Sequence, residues 1–253
     1  MPPALAITPA IERPSLTLLG TEPWRAAFGF LAHALRTTSP AAEADGHPVI
    51  VFPGLGASGA SVAPLRKHCE ALGYAALDWG RGFNTGPDGD VDHWLSALAD
   101  HTAGLLAPFD QSATLIGWSL GGLYAREVAK LLGPRVRQVI TIGTPFNADA
   151  DHTNVGWLFR LLSGAPAAFD PALSARLRRA PAVPTTSIFS RSDGVVAWQT
   201  CRHDAPSNRV EDVEVQSSHI GMGWNPAVLR IVADRLSQRP GRWRPYAGGF
   251  GSA

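Results

Sequence analysis

The sequence predicts an α/β fold: a doubly wound, mostly parallel sheet of about six strands in one domain over residues 1–253, with a small helical cap at 146–182. Three observations predict it. Short apolar runs alternate with segments of helical period. The first of these runs, PVIVF (48–52), is apolar throughout and reads as a buried strand. The alternation breaks once, between 146 and 182, and then resumes.

Residues 1–20 are Pro-rich and aperiodic and read as an arm or tail; apolar spacing then suits a helix over 24–35, and 37–47 form a loop. PVIVF (Pro48–Phe52) is the first strand, stopped by Pro53-Gly54. A helix over 61–72 ends at Gly73, a residue that readily adopts the left-handed turn closing a helix. A strand over 75–79 leads into a long polar loop at 80–90, a candidate rim for an active site. An amphipathic helix follows over 92–109, then the strand Ala113–Trp118, the helix Leu120–Leu132 ending at Gly133-Pro134, and the strand Val136–Ile142. Within the cap, VGWLFRLL and PALSARLRRA have helical patterns separated by Gly and Pro. Strands Thr185–Phe189 and 210–215 and a closing helix Pro226–Leu236 complete the alternation, and a Gly- and Pro-rich tail follows.

Composition narrows the function classes. With 253 residues, 45% of them hydrophobic, a large core is within reach without metal or disulfide staples. Lys and Arg total 22 against 21 Asp and Glu, so a net charge of +1 supplies no general attraction to nucleic acid or an anionic membrane. Two cysteines, Cys69 and Cys201, make neither a disulfide framework nor a four-ligand zinc site, and Cys69 reads as a small apolar residue on a helix. The N-terminus lacks a basic region followed by an uninterrupted apolar run, and segment 24–35 is broken by Arg25 and His33. The expectation is a soluble, cytoplasmic protein without stable membrane insertion. No dinucleotide or phosphate loop is present, and Asp149-Ala150-Asp151-His152 lacks any recognised ligand spacing, so no cofactor and no metal are expected.

The strongest local signal is Gly117-Trp118-Ser119-Leu120-Gly121, a G-x-S-x-G pentapeptide between an apolar strand and a helix. Such a turn forces the serine into a tight conformation with its hydroxyl above the strand ends, while the glycines admit neighbouring backbone. The helix start directs N–H groups and positive dipole to the same point. Ser119 is therefore the candidate nucleophile; the bland alternative is a plain strand-to-helix turn.

At these residues the chain resembles the α/β-hydrolase superfamily, in particular its bacterial esterase/lipase branch. VFPGLG (51–56), GWSLGG (117–122) and TIGTPF (141–146) carry the likeness, which covers residues 48–238. The resemblance implies a catalytic triad in the chain order nucleophile, acid, histidine. Asp193 follows a late strand, in SIFSRSDGVV, and fits the acid, although Asp-Gly is also a common turn pair. Asp149, Asp151, Asp170 and Asp204 compete with it, but none follows a strand. Of eight histidines only His203 and His219 lie beyond Asp193. His219, after the last strand, fits the general base, while His203 reads as a surface loop residue. The resemblance also implies an oxyanion hole from the backbone N–H of Leu120 and of a residue in the loop after the first strand, for which Leu55 is the choice. Many relatives have His-Gly where this chain has Pro53-Gly54, so the side-chain support of that loop differs here.

Trp118, Phe146, Trp157, Leu158 and Phe159 are candidates for an apolar acyl pocket, and equally for core. Arg176, Arg178 and Arg179 read as a solvated helix face rather than a site for an acidic substrate. Together these features predict a serine hydrolase that cleaves carboxylic esters, an esterase or lipase acting through an acyl-enzyme on a small-molecule or lipid-like substrate. Thioester, lactone or amide cleavage on the same site stays open, as does a non-catalytic binding protein with this fold. Oligomeric state is not legible.

Overall fold

The computed structural model describes residues 12, 14–34, 44–147, 171–204 and 207–248. In chain order the elements are α1 (Leu16–Ala34), β1 (Pro48–Phe52), α2 (Ala63–Ala71), β2 (Ala75–Asp78), α3 (Val91–Leu106), β3 (Ala113–Trp118), α4 (Leu120–Leu132), β4 (Val136–Ile142), α5 (Pro171–Arg178), β5 (Thr185–Phe189), β6 (Val210–Glu214) and α6 (Pro226–Leu236). Short 3-10 turns cover Gly133–Arg135, Trp198–Cys201 and Ile220–Trp224. The predicted cap falls mostly outside the described residues; its C-terminal helical pattern is α5.

The six strands form one sheet in the order β2-β1-β3-β4-β5-β6, and every neighbouring pair is parallel. The doubly wound α/β architecture read from the sequence is thus the observed one. Its physical basis is visible in β1. Ile50 and Phe52 pack into a cluster with Leu95 and Leu98 of α3 and Tyr124 of α4. Val49 and Val51 pack on the opposite face with Leu65 and Cys69 of α2 and Val228 of α6. A strand buried on both faces needs an unbroken apolar run, and PVIVF supplies one. Cys69 is the small core residue expected, and burial pushes its thiol up to about 12.

The order places β2 on one side of β1 and β3 on the other. In open α/β sheets the crevice beyond the strand ends at such a reversal is where ligands bind. At that edge of the β1–β3 ladder Phe52 pairs with Gly117. The loop from Pro53 and the turn at Ser119 therefore leave the sheet side by side.

One boundary departs far from expectation. The first helix spans Leu16–Ala34, beginning eight residues before the predicted start, with Pro23 inside it. The Pro-rich composition upstream and Pro23 itself disguised its first turns as arm.

Candidate active site

Ser119 joins β3 directly to α4 with φ 54° and ψ −124°, and it is the one non-glycine residue with positive φ among the described residues. A backbone so placed costs about 1–3 kcal/mol and persists only where its surroundings impose it. The surroundings here are specific. The Ser119 N–H donates to the carbonyl of Ile142 at 2.8 Å, anchoring the turn to the end of β4. A Cβ on Gly121 would strike the carbonyl of Phe52, and one on Gly122 would strike the Thr144 side chain. The small residues after the serine are thus required by close backbone approach, and they hold α4 against the ends of β1 and β4.

Asp193 lies in the loop after β5 and His219 in the loop after β6, 3% and 5% exposed. The imidazole Nδ1 lies 2.7 Å from Asp193 Oδ2. The other carboxylate oxygen, Oδ1, accepts N–H bonds from Val195 and Val196, both at 2.8 Å. The carboxylate is thereby fixed on both sides, one oxygen by backbone and the other by the ring. Burial opposes charge on the His219 imidazole, but the adjacent Asp193 carboxylate outweighs it and holds the pKa above the ordinary 6.5.

His219 meets the serine turn through Trp118. The Trp118 indole N–H donates to the His219 carbonyl at 3.3 Å, and the two rings lie 6.0 Å apart at their centroids. Gly143, just beyond β4, gives the imidazole its space: a Cβ there would lie 3.1 Å from Nδ1. Gly54 does the same for the serine, since its Cβ would lie 3.2 Å from that of Ser119. Ser119, Asp193 and His219 thus lie in the segments just beyond the C-terminal ends of β3, β5 and β6, with His219 joined to Asp193 directly and to the serine turn through Trp118. Gly54, next to Leu55, and Leu120, the first residue of α4, adjoin the serine.

A residue that the sequence did not single out braces the loop of Leu55. Asn84 is buried within the long 80–90 loop, and its side-chain N–H donates to the Pro53 carbonyl at 2.9 Å. Its backbone accepts from Gly56 at 2.9 Å and donates to Ala57 at 2.8 Å. Tyr124 on α4 and the Gly86 N–H both donate to Asn84 Oδ1. Amide groups of one asparagine thus support the loop that begins at Pro53. The only sequence signal for this was the length and polarity of the 80–90 loop.

Two readings need correction. His203 is not a surface loop residue: its side chain is 6% exposed, its Nδ1 lies 2.7 Å from Asp212 on β6, and its Nε2 faces Arg126 at 3.0 Å. Nor do the cap arginines form one solvated face. Arg176 pairs with Glu127 and Asp92, and the Leu177 and Arg178 carbonyls accept from the buried Arg126, while Arg179 alone stays exposed. The cause is α4, whose Arg126, Glu127 and Lys130 form a charged seam that captures α5. Burial drops the Arg126 guanidinium to about 10.

Of the pocket candidates, Trp118 packs with Ile140, Met222 and Val228, and Phe146 lies under Arg126 with the guanidinium 3.8 Å from its ring centre. Trp157, Leu158 and Phe159 lie outside the described residues, as do Asp149, Asp151, His152 and Asp170. Asp204 accepts from the Asn147 side chain at 2.7 Å and serves to tie two loops.

Comparison with known proteins follows this geometry. A family model described as the alpha/beta hydrolase family matches residues 49–249. A pimeloyl-[acyl-carrier protein] methyl ester esterase from Shewanella woodyi is 29% identical over 101 residues, 40% of this chain and 37% of that protein. The alignment thus spans well under half the length of that curated relative. Among solved structures, Aspergillus fumigatus lipase B superposes with a TM-score of 0.58 at 19% identity, over 80% of this chain and 56% of that one. The mature Bacillus licheniformis lipase BlEst2 gives 0.56 at 17% identity, over 79% and 95%. At these identities the two structures speak for the fold.

Proposed function

The chain belongs to the alpha/beta hydrolase family, and from that premise we propose that it is a serine hydrolase of carboxylic esters, with Ser119 as nucleophile, His219 as general base and Asp193 as its orienting acid. The observation that carries this reading is the strained Ser119 turn set among strand ends that also hold a buried His219–Asp193 pair. A nucleophile needs its hydroxyl lifted clear of the sheet, and a positive-φ serine between strand and helix suits that need.

In the proposed reaction His219 Nε2 takes the Ser119 proton as Oγ attacks the ester carbonyl carbon. The imidazolium formed is stabilised by Asp193, which keeps Nδ1 as the donor to Oδ2. The N–H groups of Leu120 and Leu55 hold the oxyanion, each worth about 3 kcal/mol in the transition state. The tetrahedral intermediate collapses as His219 returns its proton to the leaving alkoxide, leaving an alcohol and an acyl-serine. Water, deprotonated by the same ring, then attacks the acyl carbon; collapse re-protonates Ser119 and releases the carboxylic acid. The choice of an ester over other acyl compounds leans on the Shewanella relative, which is named for methyl ester cleavage.

The direct test is fluorophosphonate labelling of the intact protein with peptide mapping. One adduct, on Ser119, supports the reading. A folded protein that takes up no label in buffer or in detergent overturns it. A series of acyl esters, with thioesters, lactones and amides alongside, then reads the leaving group the site accepts.

A further inference from the structure

Helix α1 reaches the site from far away in sequence. The Gly194 position abuts the Leu18 backbone, so that a Cβ there would lie 2.6 Å from the Leu18 carbonyl. Glu22 follows one turn later. Ala26, a further turn on, accepts from the Trp224 indole at 3.1 Å. Positions 18, 22 and 26 share one face of the helix, and that face lies on the loops of Asp193 and His219.

Glu22 is 2% exposed. Its Oε1 accepts from the N–H of Gly194 at 2.8 Å and from the N–H of His219 itself at 2.9 Å, and its Oε2 accepts from Ile220 at 3.1 Å. One oxygen thereby ties the residue after the acid to the backbone of the base. Among the described residues Arg25, at 3.8 Å, is the cation paired with it. A carboxylate taken out of water this far is stabilised chiefly by those three backbone donors, so its position and theirs are mutually fixed.

We propose that Glu22 is a positioning residue that sets the His219–Asp193 geometry from outside the hydrolase core, by clamping both loops to one carboxylate. The proposal rests on the reading of His219 as base. A carboxylate is needed rather than any acceptor, because three donors converge on two oxygens, and an amide would offer one oxygen and turn its own N–H groups against a backbone N–H. Its negative charge also reaches the imidazole and favours the protonated ring, adding to Asp193. The other charged groups near the turn at 220–224 are engaged elsewhere or outward. On α2, Arg66 pairs with Asp78 and Glu70, His68 faces the Leu229 carbonyl, and Lys67 is exposed. On α6, Asp234 pairs with Arg235, and Arg230 is exposed.

The test is Glu22→Gln, read three ways: melting temperature, steady-state kinetics on a p-nitrophenyl ester, and NMR titration of the His219 ring. The expected result is a kcat lower by about 10–100-fold with KM little changed, as for a misplaced catalytic group. The His219 midpoint is expected to move to lower pH, and Glu22→Asp, which restores the charge, to recover the midpoint but only part of kcat. A folded Glu22→Gln with wild-type kcat and a wild-type His219 titration overturns the proposal. So does one that loses melting temperature alone, since a purely structural contact would do only that. If Glu22→Gln does not fold, Glu22→Asp decides, and an unchanged kcat overturns the clamp. The titration needs no turnover. A wild type that takes no label therefore defeats the serine-hydrolase reading, whereas an unmoved His219 midpoint in a labelled protein defeats the role of Glu22.

Discussion

His219 with Asp193 and His47 with Asp45 are the same two side chains joined in the same way at opposite ends of one sheet. At the N-terminal end, His47 is fully buried, its Nδ1 bonded to Asp45 and its Nε2 2.8 Å from Thr114 Oγ1. Arg137 Nη1 holds the other Asp45 oxygen at 2.7 Å. The two imidazoles are pushed in opposite directions. Burial lowers the His47 pKa, and Arg137 adds to the effect against the pull of Asp45, whereas at His219 the carboxylates Asp193 and Glu22 outweigh burial. A histidine–aspartate pair is thus no signature in itself. What separates the two is the second ring nitrogen and the net charge around the ring. His47 spends its Nε2 on a core hydroxyl, with Arg137 lowering its pKa, and is a latch, while the charges that act on His219 among the described residues are the carboxylates Asp193 and Glu22, beside a strained serine. The comparison predicts catalysis at one end and stability at the other.

The largest effect belongs to the serine. Ser119→Ala is expected to lower kcat by about 10⁶-fold with the fold kept, and to abolish fluorophosphonate uptake. Turnover that survives would leave neither end of the sheet catalytic. Next, Asp193→Asn frees the imidazole to adopt the wrong tautomer, with an expected loss of about 10⁴-fold in kcat, as in other Ser-His-Asp enzymes. Equal loss from Asp45→Asn would erase the distinction between the two pairs. Asn84→Ala, which removes the brace under Pro53 while leaving the Leu55 N–H in place, is expected to cost about 10–100-fold in kcat, less than outright deletion of an oxyanion donor. Unchanged kcat in Asn84→Ala would show that the loop holds its shape without the amide.

What the sequence made legible was what local pattern determines. PVIVF and ATLIGW are apolar at most positions because both faces are covered, so these strands and the α/β architecture could be read directly. The pentapeptide at Ser119 announced itself because its residue types stand within five consecutive positions, even though the backbone that Gly121 admits is that of Phe52. Glu22 and Asn84 did not, because each acts through contacts remote in sequence: Glu22 meets Gly194 across 172 positions, and Asn84 meets Pro53 across 31. A lone glutamate in a Pro-flanked helix and a lone asparagine in a polar loop have no pattern of their own. His203 and Arg176 were misread for the same reason, since their partners Asp212 and Glu127 lie on other elements. Chain order placed Asp193 and His219 as candidates; only packing could bring them to 2.7 Å.

The smallest effect on activity, and the sharpest on the comparison, comes from pH. His219 must be neutral to accept the serine proton, so kcat/KM is expected to fall on the acid side with a midpoint above 6.5. Its contribution to stability runs the other way: a raised pKa stabilises the fold fully below 6.5 and is lost as pH rises through the folded value. At the latch, burial works against the Asp45 charge, but Arg137 and His47 prevail and hold its pKa at about 2 against an ordinary 3.8. That contribution is present above 3.8 and is lost as pH falls toward 2. His47, lowered from 6.5, favours the fold above 6.5 and loses that contribution as pH falls through its folded value. Thermal melts of Asp45→Asn against wild type should therefore converge as the acid limb is descended, while kcat at neutral pH stays within about twofold, as for a surface-linked pair away from the chemistry. Melts that stay parallel to the lowest pH would mean that Asp45 is not the group titrating, and that the latch draws its stability from Thr114 alone.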